Sequence, residues 1–101
     1  MNVDGRLVEE IINRLKREPS VEKAVLFGSR ARGDNTERSD YDVAVYGKVP
    51  YAVQRDLRVF CCEELWTLHK IDLVFVTEKT YGKLLENIEK EGVTLYEQAR
   101  T

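Results

Sequence analysis

The segment Gly28-Ser29-Arg30-Ala31-Arg32-Gly33, followed closely by Ser39-Asp40-Tyr41-Asp42, decides how the chain is organised because it joins two apolar runs. Residues 21–27 are apolar and β-branched in their second half, which predicts a buried strand that ends at the first glycine. Residues 40–46 alternate between polar and apolar side chains and predict a second strand. The polar segment therefore connects two strands, with a short helical turn over residues 29–32 and a loop after it.

Outside this segment, helical and strand patterns alternate along the chain. Apolar residues at helical spacing predict helices over residues 7–15, 51–65 and 80–92, the last with Thr80 as its N-cap and Gly92 at its end. Residues 71–76 predict a third strand, and residues 93–96 predict a short edge strand. We expect an α/β fold in one small domain, a mixed and at least partly parallel β-sheet flanked by helices.

Length and composition narrow the class of protein. A chain of 101 residues is long enough for one domain, 1–101, with a single core. The 16 Lys and Arg residues against 18 Asp and Glu leave a net charge of −2, so direct nucleic-acid binding is not expected. The only two cysteines, Cys61 and Cys62, are adjacent and cannot cross-link a small secreted fold, and no apolar stretch is long enough for a signal peptide or a membrane span. We expect a soluble cytoplasmic protein.

Three aspartates have the spacing of a metal site. Asp40 and Asp42 are two residues apart at the start of a strand, so their side chains share one face with Cα atoms about 6.5–7 Å apart. Asp72 interrupts the apolar strand of residues 71–76, where a carboxylate needs a partner or a metal to offset its desolvation. Clustered carboxylates without His or Cys favour Mg²⁺ or Mn²⁺. If the two strands are neighbours, the three carboxylates meet at one edge of the sheet.

The residues before these aspartates suit a phosphate group. A glycine at the end of a strand, Gly28, lets backbone N–H groups approach an anion closely, and the Ser29 hydroxyl adds a donor. Arg30, Arg32 and Arg38 lie in the same segment and could hold phosphate oxygens. The turn at Gly28 and Ser29 would thus form a phosphate cradle. Together with the three carboxylates, it predicts phosphoryl or nucleotidyl transfer by two metal ions about 3.5–4 Å apart.

Simpler interpretations exist for single residues. An Asp-x-Asp pair alone is common in solvated turns, and Asp72 alone could be an exposed position on a half-buried edge strand. The combination with the Gly-Ser turn makes the functional interpretation stronger. Gly28 and Gly33 have the spacing of a Walker A loop, but Asp34 and Asn35 stand where Lys and Ser or Thr are required. A P-loop is therefore excluded.

Other conspicuous residues are expected to be structural. One histidine and two adjacent cysteines cannot supply a four-ligand zinc site. The position of the one histidine, far along the chain from Ser29, argues against serine-hydrolase chemistry. We expect His69 to be structural or on the surface. Core packing is the expected role of most of the aromatic residues Trp66, Tyr81 and Tyr96, and we expect Cys61 and Cys62 to be small buried residues.

In order and spacing, these motifs closely resemble those of the minimal nucleotidyltransferases, small relatives in the DNA polymerase β superfamily. The family pattern Gly-Ser-x-Ala-Arg-Gly, then Ser-Asp-x-Asp, then an Asp on a later strand is filled by residues 28–33, 39–42 and 72. The resemblance implies a polymerase β-like fold in which Gly28 and Ser29 bind the triphosphate of ATP. It also implies that Asp40 and Asp42 ligate two Mg²⁺ ions and that Asp72 completes the site as a metal ligand and base.

Family members of this length commonly pair with a HEPN-domain ribonuclease as toxin and antitoxin. The resemblance therefore implies an antitoxin that binds the HEPN toxin and transfers AMP from ATP to one of its tyrosines. Two alternatives remain open: a non-catalytic antitoxin that only masks its partner, and an enzyme that modifies a small hydroxylic substrate such as an aminoglycoside. We expect a hetero-oligomer with the toxin, and a homodimer is possible for the chain alone.

Overall fold

The computed structural model describes residues 3–65, 67 and 69–99, and its elements follow the expected alternation of helix and strand. In chain order they are α1 (Gly5–Lys16), β1 (Lys23–Phe27), α2 (Ser29–Arg32), β2 (Tyr41–Tyr46), α3 (Tyr51–Val59), a π-helical continuation (Phe60–Glu64), β3 (Ile71–Val76), α4 (Lys83–Glu91) and β4 (Val93–Glu97). Among the described residues, no helix is both long and apolar enough to cross a membrane.

The four strands form one mixed sheet in the order β3-β2-β1-β4. β1 is antiparallel to β2 and to β4, whereas β2 and β3 are parallel and α3 lies in their connection. A parallel pair needs a crossover of a dozen or more residues, which the chain between Tyr46 and Ile71 supplies. The predicted mixed sheet and the edge position of β4 are confirmed.

The two faces of the sheet carry different apolar clusters. The larger cluster joins α1 and α3 to the face that presents Tyr41 and Val43 of β2. α4 covers the opposite face through Ile88, which is buried in a cluster with Ala44. Because side chains alternate along a strand, Asp42 lies on this α4 face, two residues before Ala44.

The start of α4 differs from the prediction. Its N-cap is Gly82, with φ +80°, and Thr80 is wrong as the predicted cap. The Thr80 hydroxyl instead accepts a hydrogen bond from the Thr77 N–H at 3.0 Å, so it closes a turn before the helix. Tyr81 precedes the helix and is 84% exposed, so it does not have the core-packing role expected for most of the aromatic residues.

The second long helix extends as far as predicted but changes type. Its α-helical part ends at Val59, and the next five residues form a π-helical turn that keeps Cys61 and Leu65 in the core. Burial raises the pKa of the Cys61 thiol to about 12. Cys62 is exposed, so the expectation of two buried cysteines is wrong for this residue.

The remaining aromatic expectations have separate outcomes. Tyr96 is partly buried and packs against the larger cluster, as expected. Trp66 lies outside the described residues.

Candidate active site

Asp42 and Asp72 stand side by side in the sheet. They are direct partners in the parallel register of β2 and β3, and both side chains lie on the α4 face. Asp42 is half-buried, whereas Asp72 is exposed. Asp40 is also exposed and immediately precedes β2. The two strands that carry the aspartates are thus neighbours, as a three-carboxylate site requires.

Electrostatic interactions connect the three carboxylates. Burial raises the pKa of Asp42, and the negative charges of Asp72 and then of Asp40 raise it further. The positive charges of Lys70 and Arg32 oppose this effect more weakly. A carboxylate that is desolvated among like charges is stabilised by a bound cation.

The Gly28 turn is in direct contact with this carboxylate cluster. Phe27, the last residue of β1, pairs with Asp42, and Gly28 follows it with φ +78°. A Cβ atom on Gly28 would collide with Oδ2 of Asp42. Glycine is therefore required here twice, because its backbone conformation is unfavourable for other residues and because the carboxylate leaves no room for a side chain.

The short helix α2 presents Ser29 immediately after this glycine. Its single turn is closed by hydrogen bonds from the Arg32 N–H to the Gly28 carbonyl at 3.1 Å and from the Gly33 N–H to the Ser29 carbonyl at 2.8 Å. Gly33 ends the helix in the left-handed conformation, with φ +89°. Ser29 is half-buried and follows directly on the glycine that contacts Asp42, and its role in a phosphate cradle stays a prediction.

Arg32 lies at the border of the site. Its guanidinium donates to Asp34 Oδ2 at 3.0 Å and to Glu91 Oε2 at 2.8 Å, and these two carboxylates raise the pKa of Arg32. The positive charge of Arg32 also opposes the raised pKa of Asp42. Sequence reasoning missed Glu91, because it lies 59 residues from Arg32 and belongs to no motif.

Arg30 contradicts the expectation that it binds phosphate. Its side chain is buried, and its guanidinium Cζ lies 4.4 Å from the ring centroid of Tyr41. Tyr41 belongs to the cluster on the face opposite to Asp42. The guanidinium of Arg30 also donates to backbone carbonyls, including Ser39 O at 3.1 Å. His69 packs edge-on against Tyr41, in the structural role predicted for it.

The donor set fits a hard divalent cation. Carboxylate oxygens are the ligands that Mg²⁺ prefers, and a cation would relieve the repulsion that acts on Asp42. In the described ranges 3–65, 67 and 69–99, no group of three or more His, Cys, Asp or Glu side chains is arranged so that it could hold a metal ion. Asp40, Asp42 and Asp72 therefore interact through their charges, and their role as metal ligands stays a prediction.

The mixed sheet, the Gly-Ser turn and the neighbouring carboxylates have the organisation of enzymes that transfer phosphoryl or nucleotidyl groups. The family model described as polymerase beta, nucleotidyltransferase matches residues 9–101. A relative from Methanocaldococcus jannaschii is 32% identical over an alignment of 102 positions, and its name describes a protein adenylyltransferase. The match covers 92% of this chain and 98% of the relative. The chain therefore belongs to the polymerase β nucleotidyltransferase family.

Solved structures share this fold. A toxin–antitoxin complex with AMP-PNP matches at a TM-score of 0.65 and 23% identity, covering 89% of this chain and 73% of that chain. A tri-AMPylated Shewanella oneidensis HEPN toxin in complex with an MNT antitoxin matches at a TM-score of 0.59 and 20% identity, covering 92% and 72%. The predicted fold class and the resemblance to minimal nucleotidyltransferases are confirmed, and the chain is a nucleotidyltransferase.

Proposed function

We propose that this chain is a Mg²⁺-dependent protein adenylyltransferase that transfers AMP from ATP to a tyrosine of a HEPN ribonuclease and so acts as its antitoxin. One observation carries the proposal: Asp42 lies against Gly28 on one side and is paired with Asp72 on the other. A phosphate cradle and a carboxylate pair in contact are what nucleotidyl transfer requires. The name of the archaeal relative and the toxin–antitoxin complexes with the same fold support the choice of a protein acceptor.

The residues divide into a nucleotide side and a metal side. Gly28 and Ser29 would hold the triphosphate, with Arg32 at the border of the same site. Asp40 and Asp42 would ligate the two ions, with Asp72 as a further ligand. When bound, Mg²⁺ neutralises phosphate charge and polarises the α-phosphate for attack.

The proposed transfer is a single displacement at phosphorus. The phenolic oxygen of the tyrosine attacks the α-phosphorus of ATP, and a new O–P bond forms. The bond from that phosphorus to the oxygen bridging to the β-phosphate breaks, and pyrophosphate leaves. Asp72 is exposed and can accept the phenolic proton from an incoming acceptor.

The open position of the carboxylates supports a macromolecular acceptor. Asp40 and Asp72 are both exposed, and Asp72 lies on the α4 face of the sheet. Transfer gains most when the attacking hydroxyl is held in line with the leaving group and water is kept away. A partner protein that covers this face would supply both the acceptor and the closure. We place this reaction in the cytoplasm, which the two free cysteines favour.

Intact mass spectrometry of the partner tests the proposal. A HEPN ribonuclease from the same organism is incubated with ATP, Mg²⁺ and either the wild-type chain or the double variant Asp40→Ala and Asp42→Ala. We expect a mass increase of one or more AMP groups with the wild type only, while both forms still bind the partner. Inhibition of the ribonuclease without any mass increase would contradict the enzyme and leave a masking antitoxin. The variant Asp56→Ala, which removes an exposed carboxylate of α3, is the control for the loss of a surface charge.

A further inference from the structure

The side chain of Arg30 is used in a way that its place in the Gly-Ser motif does not suggest. It is 5% exposed and is the buried charged residue of the described part of the chain. Burying a guanidinium is costly unless its donors are hydrogen-bonded. Its partners therefore indicate what this cost achieves.

The guanidinium binds the loop that leads into the carboxylate site. Nη2 lies 3.1 Å from the Ser39 carbonyl, 3.3 Å from the Glu37 carbonyl and 3.4 Å from the Thr36 carbonyl, and Nε lies 3.2 Å from the Ser39 carbonyl. The Ser39 carbonyl belongs to the peptide bond that joins Ser39 to Asp40. Arg30 thus holds the backbone directly at the proposed metal ligand.

The residue after Asp40 is held by the same guanidinium. Tyr41 is fully buried under it, and the Tyr41 hydroxyl accepts a hydrogen bond from the Asp4 N–H at 2.8 Å. Nδ1 of His69 lies 3.4 Å from Nη2 of Arg30 on the same side of the sheet. Arg30 therefore contacts the residues on both sides of Asp40, the backbone carbonyl of Ser39 and the ring of Tyr41.

We propose that Arg30 is a positioning residue that sets the carboxylate of Asp40 for metal binding, and this inference rests on the proposed function. Mg²⁺ demands nearly ideal octahedral geometry, so a small displacement of one ligand weakens binding. Groups that orient metal ligands typically change metal affinity by about 10–100-fold when they are altered. Arg30 also belongs to α2 and is adjacent to Ser29 in the chain. One residue therefore connects the Gly28 turn to the loop that leads to Asp40.

Arg30→Lys is the discriminating variant. Lysine keeps the positive charge and can stay near the Tyr41 ring, but its compact ammonium cannot reproduce a planar fork that serves several carbonyls at once. Arg55→Lys is the matched control, because Arg55 is an exposed arginine of α3, which packs on the sheet face opposite to the carboxylates. Thermal unfolding of each variant establishes that the protein is folded.

The readout is Mn²⁺ binding to the protein alone, followed by electron paramagnetic resonance. We expect the Mn²⁺ dissociation constant to rise at least about 10-fold in Arg30→Lys and to stay unchanged in Arg55→Lys. In an Asp40→Asn background, Arg30→Lys should have no further effect, because the ligand that it positions is absent.

Three results would overturn the inference. They are a folded Arg30→Lys variant with wild-type Mn²⁺ affinity, an equal loss in the Asp40→Asn background, and a wild-type protein that binds no Mn²⁺. AMP transfer to the partner is measured separately. A shifted Mn²⁺ affinity without any transfer would contradict only the proposed function, whereas transfer with an unshifted affinity would contradict only the role of Arg30.

Discussion

Neutralising Asp42 should stabilise the metal-free protein while it abolishes transfer. Asp42 is half-buried, and the charges of Asp72 and Asp40 oppose its ionisation. Asp42→Asn keeps the shape of the side chain and removes its charge. The repulsion then disappears without any loss of apolar packing.

The pH dependence follows from the direction of the shift. The pKa of Asp42 is raised above its ordinary value of 3.8, first by burial and then by the two neighbouring carboxylates. The folded protein therefore holds this proton more tightly than the unfolded chain does. The contribution of the Asp42 carboxyl to the free energy of unfolding is therefore fully present below pH 3.8, and it is lost as the pH rises through the raised pKa. The advantage of Asp42→Asn should be absent at pH 3 and full at pH 7.

Solvent limits the size of the effect. Exposed or half-exposed charge pairs are worth about 0.2–1 kcal/mol each, so we expect Asp42→Asn to raise the free energy of unfolding by about 0.5–1 kcal/mol. For a domain of this length that corresponds to a gain of about 2–8 °C in Tm. In Mg²⁺ with AMP-PNP, the wild type should become more stable than Asp42→Asn. A ligand at 100 times its Kd stabilises the protein by about 2.7 kcal/mol, and only the wild type binds it.

Thermal unfolding at pH 3 and pH 7, in EDTA and in Mg²⁺ with AMP-PNP, measures these effects. Asp56→Asn, an exposed carboxylate on α3, controls for a general change in net charge. An unchanged or lowered Tm for Asp42→Asn at pH 7 in EDTA would refute the reasoning. So would a gain of equal size at pH 3.

Two further predictions concern residues around this cluster, and a third concerns the two cysteines. Gly28→Ala should lower the free energy of unfolding by at least about 1–3 kcal/mol in urea titrations, because its backbone conformation is nearly exclusive to glycine and its new Cβ would strike the neighbouring carboxylate. Glu91→Gln should lower the KM for ATP in transfer assays, because it releases Arg32 from one of its two ion pairs. At pH 8, iodoacetamide should label Cys62 and leave Cys61 unmodified until the protein unfolds, since burial raises the pKa of Cys61 to about 12.

Matched variants and contrary outcomes make these predictions decisive. Gly82 has nearly the same backbone conformation (φ +80°, ψ −154°) as Gly28 (φ +78°, ψ −160°), but a Cβ on Gly82 meets nothing within 4 Å. An equal loss in Gly82→Ala and Gly28→Ala would therefore contradict the clash. Glu89→Gln changes an exposed carboxylate on α4 and should leave the KM for ATP unchanged. A Glu91→Gln variant with an unchanged KM would show that the ion pair does not restrain Arg32. Labelling of Cys61 in the folded protein would contradict its burial.

The element order was predictable from local patterns, whereas the contacts that build the site were not. The strand of residues 71–76 is marked by its apolar run, and Asp72 stands out within it. Its pairing with Asp42 depends on the strand order β3-β2-β1-β4, which no local pattern states. The sequence left the neighbourhood of the two strands as a condition, and the register of β2 and β3 meets it.

The two arginines of the motif show where sequence reasoning failed. Arg30 and Arg32 lie two residues apart in one helical turn and have the same chemistry, so both were expected to bind phosphate. Arg30 instead packs on Tyr41 on the opposite side of the sheet, and this depends on the buried position of that ring. Thr80 failed for a similar reason, because its hydroxyl is used by a turn rather than by the helix.

A crystal structure of the chain with Mg²⁺ and AMP-PNP tests the central claim most directly. We expect metal density about 2.0–2.1 Å from carboxylate oxygens of Asp40 and Asp42, with Asp72 beside it. The triphosphate should lie on the Gly28 turn, within hydrogen-bond distance of the Ser29 hydroxyl. A nucleotide bound away from that turn, or a metal held by none of the three aspartates, would contradict the assignment of this site.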